Sequence, residues 1–212
     1  MEHTMKVIAR IHSDFPEKFG IPRQSGLVPA LRAKIVFEPE YRNPDALRGI
    51  EGFSHLWLIW QFSAAVRDTW SPTVRPPRLG GNERVGVFAT RSPFRPNAIG
   101  LSCVKLESVQ HEDGFGDVLI VSGADLMDGT PIYDVKPYLP YADAHPEALG
   151  GFAPSPKETI EVKSPPELLQ KRSTARRSFS QSSPRGGAKR CSACSRRTRA
   201  RSTRTTPSAC TA

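Results

Sequence analysis

The sequence predicts an all-β domain, and three observations carry that reading. Its apolar segments are short, four to eleven residues, and stop at Gly, Pro, Asn or Asp. Turn signals recur between them, notably Glu112-Asp113-Gly114 and Asp128-Gly129. Only one segment carries a helix start. Counting the runs gives six or seven strands, in a sandwich or a barrel.

Taken in order, Lys6 to Ile11 is a strand pattern followed by a polar turn, Asp14 to Lys18. Ile21 to Leu27 contains Pro22 and Gly26 and reads as loop, and Ala33 to Phe37 is a strand ended by Pro39. Asn43-Pro44-Asp45 is a helix start, with Asn43 as N-cap and Pro44 at the first helical position. That helix ends by Gly49 and packs Leu47 and Ile50 over one end of the domain. Phe53 to Phe62, with Trp57 and Trp60, is the most apolar segment and is expected to be a central strand buried on both faces. His55 at its start fits a hydrogen-bonded core residue better than a ligand, because no second His, Cys or carboxylate sits at metal-ligand spacing.

Ala65 to Gly81 is a long excursion rich in Pro and Arg, a length that suits a substrate-facing loop or lid. Leu79-Gly80-Gly81-Asn82 leads from a turn into a strand, whereas a dinucleotide fingerprint leads from a strand into a helix, so a Rossmann reading is excluded. Val85 to Ala89 is apolar and strand-like. Ile99 to Val109, the turn at Glu112 to Gly114, and Val118 to Ser122 form a hairpin. After Asp128-Gly129, Ile132 to Val135 returns as a strand.

Between Ala89 and Ile99 lies a rigid polar corner. Pro93 and Pro96 fix their own φ and push Ser92 and Arg95 toward extended backbone, so the corner holds its shape at low entropic cost. Arg91 and Arg95 are thereby pre-organised for a carboxylate, a phosphate or a stacked base. Pairing with Asp or Glu across the sheet remains an equal alternative.

The net charge is +9, yet its distribution argues against a basic nucleic-acid-binding body. From Arg172 to Ala212 there are eleven Lys or Arg and no Asp or Glu, which leaves nineteen basic against twenty-one acidic residues before it. No apolar run approaches the roughly 18 residues of a membrane span, and no basic patch precedes an apolar core at the N-terminus. Cys103 is the one cysteine of the body and reads as a small buried hydrophobe. These features predict a cytoplasmic protein without a disulfide framework or a metal site. No nucleophile stands beside a base and no carboxylates pair, so hydrolysis is poorly supported. Methyl transfer asks less of side chains, chiefly positioning and exclusion of water.

Gly86-Val87-Phe88-Ala89-Thr90-Arg91-Ser92-Pro93-Phe94-Arg95-Pro96-Asn97 resembles the signature of the TsaA-like (TrmO) family, the tRNA threonylcarbamoyladenosine N6-methyltransferases. Pro22 to Leu27, Phe53 to Trp57, Arg75 to Asn82, Asp128 to Pro131 and Asp134 to Pro140 match the same pattern in order. The resemblance covers about residues 5 to 153 and fails after about residue 171. It implies a single-sheet β-barrel over residues 1–165, S-adenosylmethionine (AdoMet) as cofactor, tRNA as substrate and a homodimer. It places the cofactor at Ser25, Gly26, Leu27, Ala64, Ala65, Arg91, Leu101, Ser122, Gly123, Ala124 and Asp125. Within that set, Gly26 and Gly123 would admit backbone close to the ligand, Leu101 would wall the adenine, and Arg91 would pair with the methionyl carboxylate. Asp125 would accept from the amino group or a ribose hydroxyl. Ser25 stands where the family has proline, and Ala64-Ala65 replaces a more polar pair. Arg75, Arg78, Arg95 and Asn97 are the substrate candidates, for a threonyl carboxylate or RNA phosphates. No catalytic base is assigned.

Residues 166–212 are expected to be a disordered basic tail. From Arg172 onward it holds nine Ser, six Thr and eleven basic residues. An RNA-grasping arm is one reading. Cys191-Ser192-Ala193-Cys194 as half a zinc site is another, though no partner pair follows. The preferred one is translation out of register. Given G/C-rich codons and read from each third base, Lys189 to Ala212 permits AVLRLLAQDPRPLYQNDPERVYG, which resembles the family's C-terminal segment with its Asp-Pro-Arg-Pro-x-Tyr motif. The alternative function is accordingly an AdoMet- or RNA-binding module without turnover, lacking the C-terminal subdomain.

Overall fold

The computed structural model describes residues 4–64 and 69–156. The expectations for the tail, and for Ala65, lie outside the described residues. The strands are β1 (Ala9–His12), β2 (Arg32–Phe37), β3 (His55–Gln61), β4 (Thr73–Val74), β5 (Val85–Gly86), β6 (Ile99–Glu112), β7 (Gly116–Ser122) and β8 (Pro131–Pro137). Six of them form one antiparallel sheet in the order β1-β2-β7-β6-β3-β8. Ala9 and Arg10 of β1 pair with Ile132 and Pro131 of β8 as well as with Phe37 and Val36 of β2, so the sheet closes on itself as a barrel. Closure gives each of the six strands a partner on both sides. The remaining pair, β4 and β5, is a small separate sheet.

Side-chain alternation fills the interior. Ala9 and Ile11 point inward from β1 while Arg10 and His12 are exposed. Ile35, Leu56, Leu58, Val104, Leu119, Val121 and Ile132 complete a core in which each is at most 1% exposed. Among the described residues, helix is confined to short turns of 3-10 helix and one four-residue α-helix, α1 (Pro140–Asp143).

Several expectations need correction. β3 is not buried on both faces: Leu56, Leu58 and Trp60 point inward, while His55, Trp57 and Ile59 are half-exposed. Trp57 hid this alternation, since its ring lies on the outer face and donates its N–H to Asp143 at 3.0 Å. The first strand sits further along than Lys6 to Ile11. The run Val85 to Ala89 is strand only at Val85–Gly86, then turns as 3-10 helix over Val87–Ala89. The Asn43 cap forms, its side chain accepting from the Asp45 N–H, but it starts a 3-10 turn (Pro44–Leu47). Leu47 and Ile50 do pack against the core. Cys103 is half-buried, and burial pushes its thiol up. His55 is half-exposed and hydrogen-bonds Ser54 at 3.0 Å rather than sitting in the core.

Candidate functional site

Where β3 ends and β6 begins, the domain carries a cleft of about 510 Å³, within the size range of small-molecule sites. Its apolar lining comes from Ile21, Phe62, Ile99, Leu101 and Met127; Trp60 packs against Phe62 with ring centroids 4.4 Å apart. Lys18, Arg23, Arg91 and Arg95 bring positive charge, and Asp125 is the carboxylate of the lining.

Four of the expected cofactor residues, Ala64, Arg91, Leu101 and Asp125, meet in this cleft. They come from three separate parts of the chain, and the pairing of β6 with both β3 and β7 brings them together. Leu101 is 54% exposed although it is apolar, because it lies on the outward side of β6. Arg91 is exposed and donates to the Gln24 side chain.

The remaining described cofactor candidates do not line the cleft. Gly26 N–H donates to Gly123 C=O at 2.8 Å, with φ of 77° and 75° at the two glycines. A Cβ on Gly123 would sit 3.2 Å from the Gly26 Cα. Close approach is required here, but between the two chain segments. Ser25 Oγ accepts from the Cys103 N–H at 3.1 Å and so ties the loop to β6, a bond no proline could make. Ser122 is buried and donates to Glu107 at 2.6 Å, Ala124 belongs to the core, and Leu27 is 49% exposed beyond the lining.

Among the substrate candidates, Arg95 lines the cleft and also a second cavity of about 410 Å³, which Asn97, Gln61 and Tyr133 share. Arg95 Nη2 donates to the carbonyls of Val87 (3.3 Å) and Thr90 (3.0 Å), bracing the corner from within, and its buried Nε has no partner. Neither Arg91 nor Arg95 makes an ion pair among the described residues, so pairing across the sheet does not account for them. Arg78 donates to the Ser155 carbonyl at 2.5 Å, and Arg75 is exposed and lines neither cavity. No group of His, Cys, Asp or Glu among the described residues is arranged to hold a metal.

One residue beneath the cleft escaped the sequence reading. Ser102, 1% exposed, accepts the Trp60 indole N–H at 3.0 Å and donates to Asp125 Oδ1 at 2.6 Å. Its signal was present, since Gly100, Ser102, Val104 and Leu106 share the inward side of β6 and a serine there needs a partner. Burial pushes the Asp125 carboxyl above the usual range; the Ser102 bond, its own backbone, the Arg91 charge and a backbone bond from Ser25 oppose this.

The fold and the cleft define a closed β domain with a mixed apolar and charged small-molecule site, unrelated to dinucleotide-binding folds. The chain belongs to the family described as tRNA-methyltransferase O N-terminal domain, which matches residues 10–144. It is 50% identical over 149 residues to a protein of Escherichia coli K12 named tRNA (adenine(37)-N6)-methyltransferase, covering 70% of this chain and 63% of that one. A Pseudomonas aeruginosa protein named putative S-adenosylmethionine-dependent methyltransferase RcsF is 47% identical over 170 residues, 80% of this chain and 69% of its own. The crystal structure of TrmO from Pseudomonas aeruginosa superposes with a TM-score of 0.68 at 38% identity, covering 84% of this chain and 76% of that one. The chain thus spans less than two thirds of the length of the E. coli relative.

Proposed function

We propose that this domain binds AdoMet in the larger cleft and serves methylation of N6 of threonylcarbamoyladenosine beside the tRNA anticodon. The observation that carries the reading is the convergence of Ala64, Arg91, Leu101 and Asp125 in one cleft of a family member. The donor set fits the cofactor: an apolar wall for the adenine, a cation for the methionyl carboxylate and a carboxylate for the amino group or a ribose hydroxyl. When bound, AdoMet supplies an electrophilic methyl group. The chain's own part is to orient both partners and keep water out. The urea-like carbonyl on the substrate delocalises the N6 lone pair and acidifies its N–H, so a strong base is not demanded of the protein. Arg95, which lines both cavities, and Asn97, which lines the smaller one, are the favoured contacts for the threonyl carboxylate or a neighbouring phosphate, with Arg75 and Arg78 left for phosphates farther out. The protein acts as a homodimer in the cytoplasm in this reading. No helix among the described residues is long and apolar enough to cross a membrane.

Calorimetry with AdoMet, NAD and ATP tests the reading, and AdoMet is expected to bind in preference to the other two. Arg91→Ala is expected to weaken AdoMet by about 1.5–3 kcal/mol, the loss of a charge-assisted hydrogen bond. Unchanged affinity in folded Arg91→Ala protein removes Arg91 from the pocket. The second reading, binding without turnover, is favoured by the tail composition; a methyl-transfer assay on threonylcarbamoylated tRNA separates it from the first.

A further inference from the structure

Trp60 on β3, Ser102 on β6 and Asp125 form one hydrogen-bonded line that runs from the barrel interior to the cleft. Its direction is fixed by chemistry. An indole N–H only donates, so the Ser102 oxygen accepts from Trp60 and its single proton is left to point at Asp125 Oδ1. A hydroxyl aimed in this way favours the ionised carboxylate. Ser102 and Trp60 are both buried, at 1% and 7% exposed, so neither exchanges these partners for water.

The charge balance of the cleft gives this line its purpose. Against Asp125 the lining sets Lys18, Arg23, Arg91 and Arg95. Such a lining repels a cation, and AdoMet differs from its demethylated product by a sulfonium charge. An ionised Asp125 is the lining's offset to that repulsion. We propose that Ser102, oriented by Trp60, is a positioning residue that holds Asp125 ionised and aimed at the cleft, so that the site favours the sulfonium cofactor over its neutral thioether product. This deepens the cofactor reading given above and rests on it. The surroundings make the bond matter, because burial alone pushes the Asp125 carboxyl up, and the Arg91 charge and the backbone bonds at Ser25 and Asp125 are the other opposing influences.

The test begins without ligand. In full-length protein labelled with 13C at the Asp carboxyls, with the Asp125 signal assigned through Asp125→Asn, Ser102→Ala is expected to raise the Asp125 midpoint by about one pH unit. Ser102→Cys, which nearly keeps the volume with a weaker donor, is expected to raise it less, and it serves if the alanine variant does not fold. Calorimetry at pH 6 is then expected to show the AdoMet to S-adenosylhomocysteine affinity ratio falling several-fold in Ser102→Ala, and no pH dependence of that ratio from this carboxyl in Asp125→Asn. A midpoint that stays in place overturns the proposal, and so does a raised midpoint with an unchanged ratio. If the wild-type protein binds neither compound, the cofactor reading fails and the selectivity with it, while the titration still decides the Ser102–Asp125 tie.

Discussion

A version of this protein re-encoded in the alternative frame from near Lys171 is expected to methylate threonylcarbamoylated tRNA about 100-fold faster, or more, than the chain as written. The expectation joins composition to mechanism. The family model matches residues 10–144, and the resemblance read from the sequence fails after about residue 171. Beyond that point, the out-of-register reading proposed for Lys189 to Ala212 yields an arginine and a tyrosine within Asp-Pro-Arg-Pro-Leu-Tyr. Those residue types suit holding a phosphate or carboxylate and stacking on a base. Losing them would misplace the substrate, and misplacement by about 1 Å already costs on the order of 100-fold in rate. Cofactor affinity is expected to be the same in both versions, because every position assigned to the cofactor precedes residue 130. The measurement is transfer of labelled methyl to tRNA by the two proteins side by side, with AdoMet affinity as the control. Equal turnover would show the re-read segment to be dispensable.

Local rules made much of the architecture legible. Gly114 and Gly129 both adopt positive φ, at 81° and 75°, as the Asp-Gly signals required. The hairpin predicted around Gly114 runs from Ile99 to Ser122. Burial was harder to read. In β3 the sequence shows one apolar run, because Trp57 and Ile59 on the outer face are as apolar as Leu56 and Leu58 on the inner. Only the closed sheet decides which side faces the core. The site divided in the same way. Four residues carried by the family resemblance, Ala64, Arg91, Leu101 and Asp125, line one cleft, but Gly26 and Gly123 hold two chain segments together, a relation between residues 97 positions apart that no local pattern encodes. Arg95 likewise spends part of its donor capacity on the corner's own carbonyls. Trp60 and Phe62 read as plain core because periodicity reports burial and not which cavity a ring borders.

Gly100→Ala is expected to be among the most damaging single-methyl changes the domain can suffer. Gly100 stands directly opposite Trp60 in the β3–β6 ladder, and the indole lies across the space a side chain would occupy. A Cβ built on Gly100 falls well under 3.0 Å from Cε2, Cζ2 and Cδ2 of Trp60. The ring is rigid and 7% exposed, so it must move as a body, and Phe62 stands against it. Overpacking of this kind costs about 1–3 kcal/mol. Displacing the indole also withdraws its N–H from Ser102, and an unsatisfied buried polar group costs about 1–3 kcal/mol more. Together these are a large fraction of the roughly 5–15 kcal/mol that holds an ordinary domain folded. Gly52→Ala is the matched control, since nothing lies within 4 Å of its Cβ and its φ is not in the left-handed region, and it should change stability by less than about 0.5 kcal/mol. Urea unfolding followed by tryptophan fluorescence measures both. The Gly100→Ala change should raise the Asp125 midpoint less than Ser102→Ala does, because the Trp60 bond is lost while the Ser102 hydroxyl remains to donate to Asp125. Wild-type stability in Gly100→Ala would mean that Trp60 has room to move, and the tie between the barrel core and the cleft would then be slack.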